Sequence, residues 1–150
     1  MEEKDNLPLF SKISASLTGF SEMELWGTGM METYYNYVMG KCGESSPTKL
    51  DLEYFFEKAK EIYLGDNNDE NWIDTQIQTW IFPPTSYGGL AQLIITLWYT
   101  GNWGLGFNGS PISAQAYVQG LIWNAGETHP SGAKQPGFGS WNIPPINIKK

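Results

Sequence analysis

Residues 75–148 carry only two formal charges, Glu127 and Lys134, although this stretch holds five of the seven tryptophans. About a quarter of the residues in an ordinary soluble domain are charged. The deficit is local, because 14 of the 16 acidic residues lie between Glu2 and Glu70. A neutral, aromatic surface tends to self-associate, so one interpretation is that another protein covers much of this half. The other is that Asn, Gln, Ser and Thr side chains keep it soluble unaided.

The size and charge of the chain restrict the classes of partner. At 150 residues it is long enough for one domain with a proper core. The net charge is −7, with nine lysines and no arginine, which argues against binding to nucleic acid or to an anionic membrane surface. The longest apolar run, Leu93–Ile95 followed by Leu97–Tyr99, is far shorter than the roughly 18 residues that span a bilayer. We therefore expect no direct membrane insertion.

The spacing of apolar residues predicts a mostly α fold, a single small domain of four to five helices. The predicted helices cover about residues 21–40, 47–63, 70–81, 90–99 and 113–123. Ser21 and Glu24 match a capping box at the start of the first. The apolar segment 90–99 is compatible with a buried strand, but we favour a helix because no pairing strand is evident. In the helix over 70–81, five residues are predicted to face inward: Trp72, Ile73, Ile77, Trp80 and Ile81.

The domain is predicted to have three parts. Residues 1–10 read as a polar arm, residues 11–125 as the helical body, and residues 126–150 as an extended tail rich in proline and glycine. No signal peptide is apparent at the acidic start of the chain. The tail places Phe138 and Trp141 between prolines, a composition that suits wrapping around a partner because aromatic anchors dominate interface energetics.

No arrangement of residues predicts catalysis, a cofactor site or a metal site. The GxGxxG pattern of residues 104–109 is followed by Ser110 and Pro111, with no βαβ unit around it, so we interpret it as a loop. His129 is the only histidine and reads as a loop residue. Residues 66–70 lack the EF-hand pattern and read as a solvated turn. Cys42 follows Lys41, but no residue that could act as a base toward its thiol is evident, so we expect the thiol to be inert.

Three segments together resemble the small-subunit (gamma) family of membrane-bound, FAD-dependent sugar and polyol dehydrogenases, the sorbitol, fructose and glucose dehydrogenase type. The first segment is Ser14-Ala-Ser-Leu-Thr-Gly19, before a helix, and the second is Leu97-Trp-Tyr-Thr-Gly101. The third runs from Tyr117 to Trp123 and continues in the tail as Pro136-Gly137, Trp141 and Pro144. The order and spacing of the segments extend over about 130 residues, nearly the whole chain.

The resemblance implies a non-catalytic subunit that binds a large GMC-type flavoprotein. The large subunit would hold FAD and oxidise the sugar, and a multihaem cytochrome c would accept the electrons. The small subunit would support maturation and carry a twin-arginine export signal, which implies a periplasmic location. This chain shows no such signal, so a cytoplasmic location is expected if it is native as given. Gly132 also stands about where many relatives have cysteine, which leaves a covalent link to the large subunit in doubt.

Nine residues are therefore predicted to contact the partner: Trp98, Tyr99, Gly101, Tyr117, Trp123, Pro136, Gly137, Trp141 and Pro144. Their rings would fill pockets, their glycines would permit close backbone approach, and their prolines would hold the tail extended. Trp98, Tyr117 and Trp123 are also compatible with the core of the domain itself. The alternative function is a free-standing module whose exposed aromatic rings bind carbohydrate or another small ligand. An enzyme is the least favoured class.

Overall fold

The described part of the chain is helical, as its apolar spacing predicts. A computed structural model describes residues 6–42, 49–104 and 111–128. Among these residues the only strand-like pairing is an isolated antiparallel bridge between Asn102 and Pro111. The mostly α fold class is thus confirmed. The predicted tail over 126–150 lies outside the described residues from residue 129 onward.

Eight α-helices occur among the described residues, and a π-helix and a 3₁₀-helix lie between the fifth and the sixth. The α-helices are α1 (Leu7–Thr18), α2 (Glu22–Gly27), α3 (Met31–Lys41), α4 (Lys49–Tyr63), α5 (Glu70–Gln76), α6 (Leu90–Thr100), α7 (Ala114–Val118) and α8 (Leu121–Ala125). The π-helix is Ile77–Ile81 and the 3₁₀-helix is Ser86–Gly89. The number exceeds the prediction because two predicted helices are each divided and the first helix was not predicted.

Helix α1 begins inside the segment that was predicted to be a polar arm. Pro8 occupies its first turn, where the missing N–H costs nothing. Leu9, Phe10 and Ile13 are buried at helical spacing, so this turn belongs to the core. The helix ends at Gly19, whose left-handed φ of +79° lets its N–H reach the carbonyl of Ala15. The predicted arm over 1–10 is therefore shorter than expected, and residues 1–5 lie outside the described residues.

Local backbone chemistry divides the predicted helix over 21–40 into α2 and α3. The capping box is confirmed, because Ser21 Oγ accepts from the Glu24 N–H and Glu24 Oε2 accepts from the Ser21 N–H. After Gly27, the hydroxyl of Thr28 donates to the Leu25 carbonyl and accepts from the Met30 N–H. Gly29 has φ of +74°, a left-handed conformation that interrupts the helix.

The π-helix overturns one prediction about which residues face inward. Ile77 and Ile81 are buried, Trp72 and Ile73 are half-buried, and Trp80 is 49% exposed. The Phe82 N–H bonds to the carbonyl of Ile77, five residues earlier, so this turn contains more residues than an α-helical turn. With Ile77 and Ile81 aligned inward, the wider turn rotates Trp80 away from the core. The inward assignment of Trp80 was therefore wrong.

Helices α1 and α6 form the centre of the core. Helix α6 contacts α1, α3, α4, α8 and the 3₁₀-helix, and α1 also contacts α2, α3 and α4. Much of α6 is buried, notably Leu90, Ala91, Ile94, Leu97 and Trp98. Among the residues that the structure describes, no helix is both long and apolar enough to span a membrane.

Candidate functional site at the end of helix α6

The first two segments that carry the family resemblance, and the described part of the third, meet at the C-terminal end of α6. The phenol of Tyr99 donates a 2.7 Å hydrogen bond to the carbonyl of Thr18, 81 residues earlier in the chain. The ring of Tyr99 also meets the ring of Phe20 edge to face, with centroids 6.1 Å apart. The end of α6 is thereby tied to the turn that follows α1. The first and second segments are neighbours in space.

Trp98 is a core residue and does not contribute to the surface of the folded domain. Its side chain is fully buried, and its ring packs edge to face on Tyr34 with centroids 4.8 Å apart. Helical geometry explains the contrast with Tyr99, because consecutive side chains point about 100° apart. The role of Trp98 as a partner contact is corrected accordingly: it stabilises the helix that carries the site. Tyr99 is half-buried.

Gly101 brings the third segment against the end of α6. Its φ of +75° is left-handed, and a Cβ on it would lie 2.7 Å from the backbone carbon and oxygen of Ala116 in α7. The Ile112 N–H donates to the Gly101 carbonyl at 2.8 Å. Gly120 approaches as closely, since a Cβ there would lie 2.7 Å from the carbonyl oxygen of Tyr99. The close approach that was expected of Gly101 toward a partner occurs, in the described residues, within the domain.

Tyr117 and Trp123 form a pair on the outer side of this junction. The indole Nε1 of Trp123 donates to the Tyr117 carbonyl at 2.8 Å, and the two rings meet edge to face with centroids 5.5 Å apart. Both side chains are half-buried. This bond links α7 to α8 across Gly120, so the predicted helix over 113–123 is observed as two short helices in a fixed arrangement.

A groove of about 530 Å³ lies beside this junction, between α2 and the α7–α8 pair. It is lined by Phe20, Glu24, Gly27, Thr28, Gln119, Leu121 and Asn124. Glu24 is its one charged lining residue, and hydrogen bonds from the backbone and side chain of Ser21 lower the pKa of that carboxyl. A Cβ on Gly27 would meet no atom within 4 Å. The groove is therefore a largely neutral surface whose α2 wall is open at Gly27.

The structure defines the surroundings of Cys42 and of the turn over residues 66–70. Burial, with a smaller contribution from Asp51, raises the pKa of the Cys42 thiol to about 11, so the thiol is protonated at neutral pH. No group of three or more His, Cys, Asp or Glu side chains that could hold a metal occurs in the described ranges. In the turn over 66–70, the Asn67 side chain accepts from the Asp69 N–H, which is an Asx turn.

Several predicted features cannot be placed. The partner contacts Pro136, Gly137, Trp141 and Pro144 lie outside the described residues, as do His129, Lys134 and residues 105–110 of the glycine-rich loop. No protein-family model, curated protein or solved structure matches the chain. Function must therefore be inferred from the residues themselves and from their contacts.

Sequence reasoning missed three features of the site: the groove, the bond from Tyr99 to Thr18, and the close approach of Gly120. Only one of them left a local signal. Gly120 interrupts an otherwise helical pattern over 113–123, and a glycine permits close approach of the backbone because it lacks a Cβ. The other two depend on segments far apart in the chain, which periodicity does not report.

Proposed function

We propose that the chain is a non-catalytic accessory subunit that binds the large subunit of a GMC-type, FAD-dependent sugar or polyol dehydrogenase. The observation that carries this proposal is that the described parts of the three resemblance segments meet at one end of α6. Thr18 is bonded to Tyr99, Tyr99 lies against Gly120, and Gly101 lies against Ala116. Residues that are scattered over more than a hundred positions thus form one packed junction, which is mostly buried and which lies beside the groove.

The groove between α2 and the α7–α8 pair is the surface that we assign to the large subunit. Its neutral lining suits a protein interface, because charged residues are depleted from interface cores. Beside it, Ile122 of α8 is 46% exposed and Trp26 of α2 is 43% exposed. In this proposal FAD belongs to the large subunit, which performs the oxidation, and a multihaem cytochrome c accepts the electrons. The small subunit supports maturation and export of the pair to the periplasm.

Co-purification with a flavoprotein tests the proposal. The tagged chain would be co-expressed with a candidate GMC-type flavoprotein large subunit, and the purified fraction examined for flavin absorbance and for the mass of each subunit. We expect a yellow complex of the two chains. Recovery of this chain alone, when both proteins are expressed and folded, would contradict the subunit function.

A pair of glycine variants tests whether the groove is the contact surface. Gly27 and Gly40 are both exposed helical glycines, and a Cβ on either would meet no atom within 4 Å. Gly27→Trp places a ring in the groove, whereas Gly40→Trp places the same ring on α3. We expect Gly27→Trp to reduce the recovered flavin by about tenfold or more, because an added clash opposes docking. Gly40→Trp should keep wild-type recovery, and equal recovery from both variants would exclude the groove.

A further inference from the structure

The outer side of α4 carries two adjacent rows of side chains, all of them exposed except the partly buried Lys58. Residues four apart on an α-helix lie above one another on the same face. One row consists of Leu50, Tyr54 and Lys58, and the other consists of Glu53, Glu57 and Glu61. Each member of the first row is three residues from a member of the second, so the rows are neighbours. Two apolar side chains, Leu50 and Tyr54, and the lysine that follows them therefore lie beside an acidic row.

Trp80 extends the first row beyond α4. The Nζ atom of Lys58 lies 4.7 Å from the centroid of the Trp80 ring, and the same nitrogen lies 3.1 Å from Glu61 Oε2. Leu50, Tyr54 and Trp80 are 54%, 50% and 49% exposed. Trp80 lies in the π-helix, a rare element that often occurs at functional sites. Leu50 and Tyr54 are thus exposed neighbours on α4, and Trp80 is exposed beside Lys58 at the next position of the row.

The charge around this row is negative and largely uncompensated. Residues 49–76 contain eight acidic residues and three lysines, which gives a net charge of −5. Among the described residues, neither Glu53 nor Glu57 makes an ion pair. Carboxylates in this arrangement attract a cationic partner and repel an anionic one. The same repulsion disfavours a second copy of this chain, since two α4 faces would oppose like charges.

We infer that the outer face of α4, with Trp80, binds a cationic amphipathic helix of another protein. The apolar side chains of that helix pack on Leu50, Tyr54 and Trp80, and its lysines or arginines pair with Glu53 and Glu57. A helix is the matching shape because its own i, i+4 rows can lie along the rows of α4. This surface shares no residue with the groove between α2 and α8, so the inference goes beyond the flavoprotein interface and is independent of it.

A synthetic peptide tests the surface with the full chain. The probe is a fluorescently labelled, 18-residue helical peptide with one leucine row beside one lysine row, and binding is measured by fluorescence anisotropy. A peptide of the same composition, with its order scrambled to remove both rows, is the control. We expect the ordered peptide to bind at least about tenfold more tightly than the scrambled one. Equal binding of the two peptides, or no binding of either, would overturn the inference.

Charge-reversed variants locate the contact. Glu53→Lys with Glu57→Lys should weaken binding of the ordered peptide by about tenfold or more, because two attractive pairs become repulsive. Glu32→Lys with Glu127→Lys changes the net charge of the chain equally, at exposed positions outside α4. We expect this control to weaken binding less than about threefold, since distant exposed charges are screened. An equal loss in both double variants would show attraction by net charge alone and would contradict a site on α4.

Two further measurements test whether apolar packing contributes to peptide binding and whether the chain associates with itself. Tyr54→Ser should weaken peptide binding several-fold, whereas Met23→Ser, at a side chain 84% exposed on α2, should leave it unchanged. Circular dichroism would confirm that each variant is folded. Sedimentation of the chain alone should give a monomer. A dimer that Glu53→Lys with Glu57→Lys dissociates would identify a second copy as the occupant and would overturn the inferred partner.

Discussion

Helices α4 and α6 pack into the same core but differ completely in charge. Helix α4 carries seven charged residues in 15 positions, and α6 carries none in 11. The difference follows from their surroundings. Helix α6 is enclosed by α1, α3, α4 and α8, whereas α4 keeps one face in water. Part of the charge deficit after residue 75 is therefore explained by burial inside the domain itself, before any partner is considered.

The large apolar side chains that face solvent are also unevenly distributed along the described chain. The eight large apolar side chains that are exposed in the described residues are Met23, Trp26, Leu50, Tyr54, Leu64, Trp80, Phe82 and Ile122. Five of them lie on residues 50–82, which include the acidic α4. Only Ile122 comes from the described residues after α6. Met23, Trp26, Leu50, Tyr54 and Leu64 all precede residue 75, so the charged part of the chain also exposes large apolar side chains.

Replacing Trp98 of α6, or Trp80, which contacts α4, gives the largest expected contrast. Trp98→Ala in α6 removes a fully buried ring that packs on Tyr34, and should lower the free energy of unfolding by about 3–5 kcal/mol. Trp80→Ala removes a half-exposed ring that contacts Lys58 of α4, and should cost about 1 kcal/mol or less. Urea unfolding of both variants measures the difference. Equal losses would show that Trp80 is as important to the core as Trp98.

Two glycine variants test whether the end of α6 is packed tightly against α7. Gly101→Ala must hold a side chain at positive φ and also push Cβ into the backbone of Ala116. Gly19→Ala carries the same left-handed cost, about 1–2 kcal/mol, but its Cβ would meet no atom within 4 Å. We expect Gly101→Ala to be less stable than Gly19→Ala by a further 1–3 kcal/mol or so. Thermal and urea unfolding should agree, and equal stabilities would mean that α7 moves freely from α6.

Alkaline pH provides the smallest expected effect. Burial raises the pKa of Tyr34, which packs on Trp98 of α6, to about 12. Because the phenol ionises more readily in the unfolded chain, where its pKa is about 10, stability from this group is complete below pH 10. It is lost as the pH rises from about 10 through 12. Tyr34→Phe should therefore lose less stability than the wild type between pH 9 and about 11. If urea titrations show that the wild type and Tyr34→Phe lose stability equally over this pH range, the burial of this hydroxyl is contradicted.

Much of the helical framework could be predicted from local sequence. Helix α4 was predicted nearly to its bounds because its apolar stripe and its opposite charged face are both regular. The segment 90–99 was correctly assigned to a helix, which is α6. Helix α1 was not predicted, and Asn6, Leu7 and Pro8 at its start read as the end of a polar arm.

The candidate site was less predictable. Tyr99 and Gly101 were singled out for contact with a partner, and in the described residues both join the end of α6 to other parts of the chain. Spacing alone does not distinguish a ring that fills a pocket in a partner from one that fills a pocket in its own domain. The assignments of Pro136, Gly137, Trp141 and Pro144 stay predictions, because those residues lie outside the described ranges.

The sequence by itself determined the helical class, the capping box at Ser21 and the separation of charge between the two halves. These properties depend on residues a few positions apart, where backbone hydrogen bonds and side-chain spacing act directly. Tertiary structure alone decided that Trp98 is buried and Trp80 is exposed, and that Thr18 meets Tyr99. Burial is set by contacts between distant segments, and the π-helix that turns Trp80 outward differs from an α-helix by one residue in a single turn. A tryptophan in the neutral half therefore reveals its role only when its neighbours in space are known.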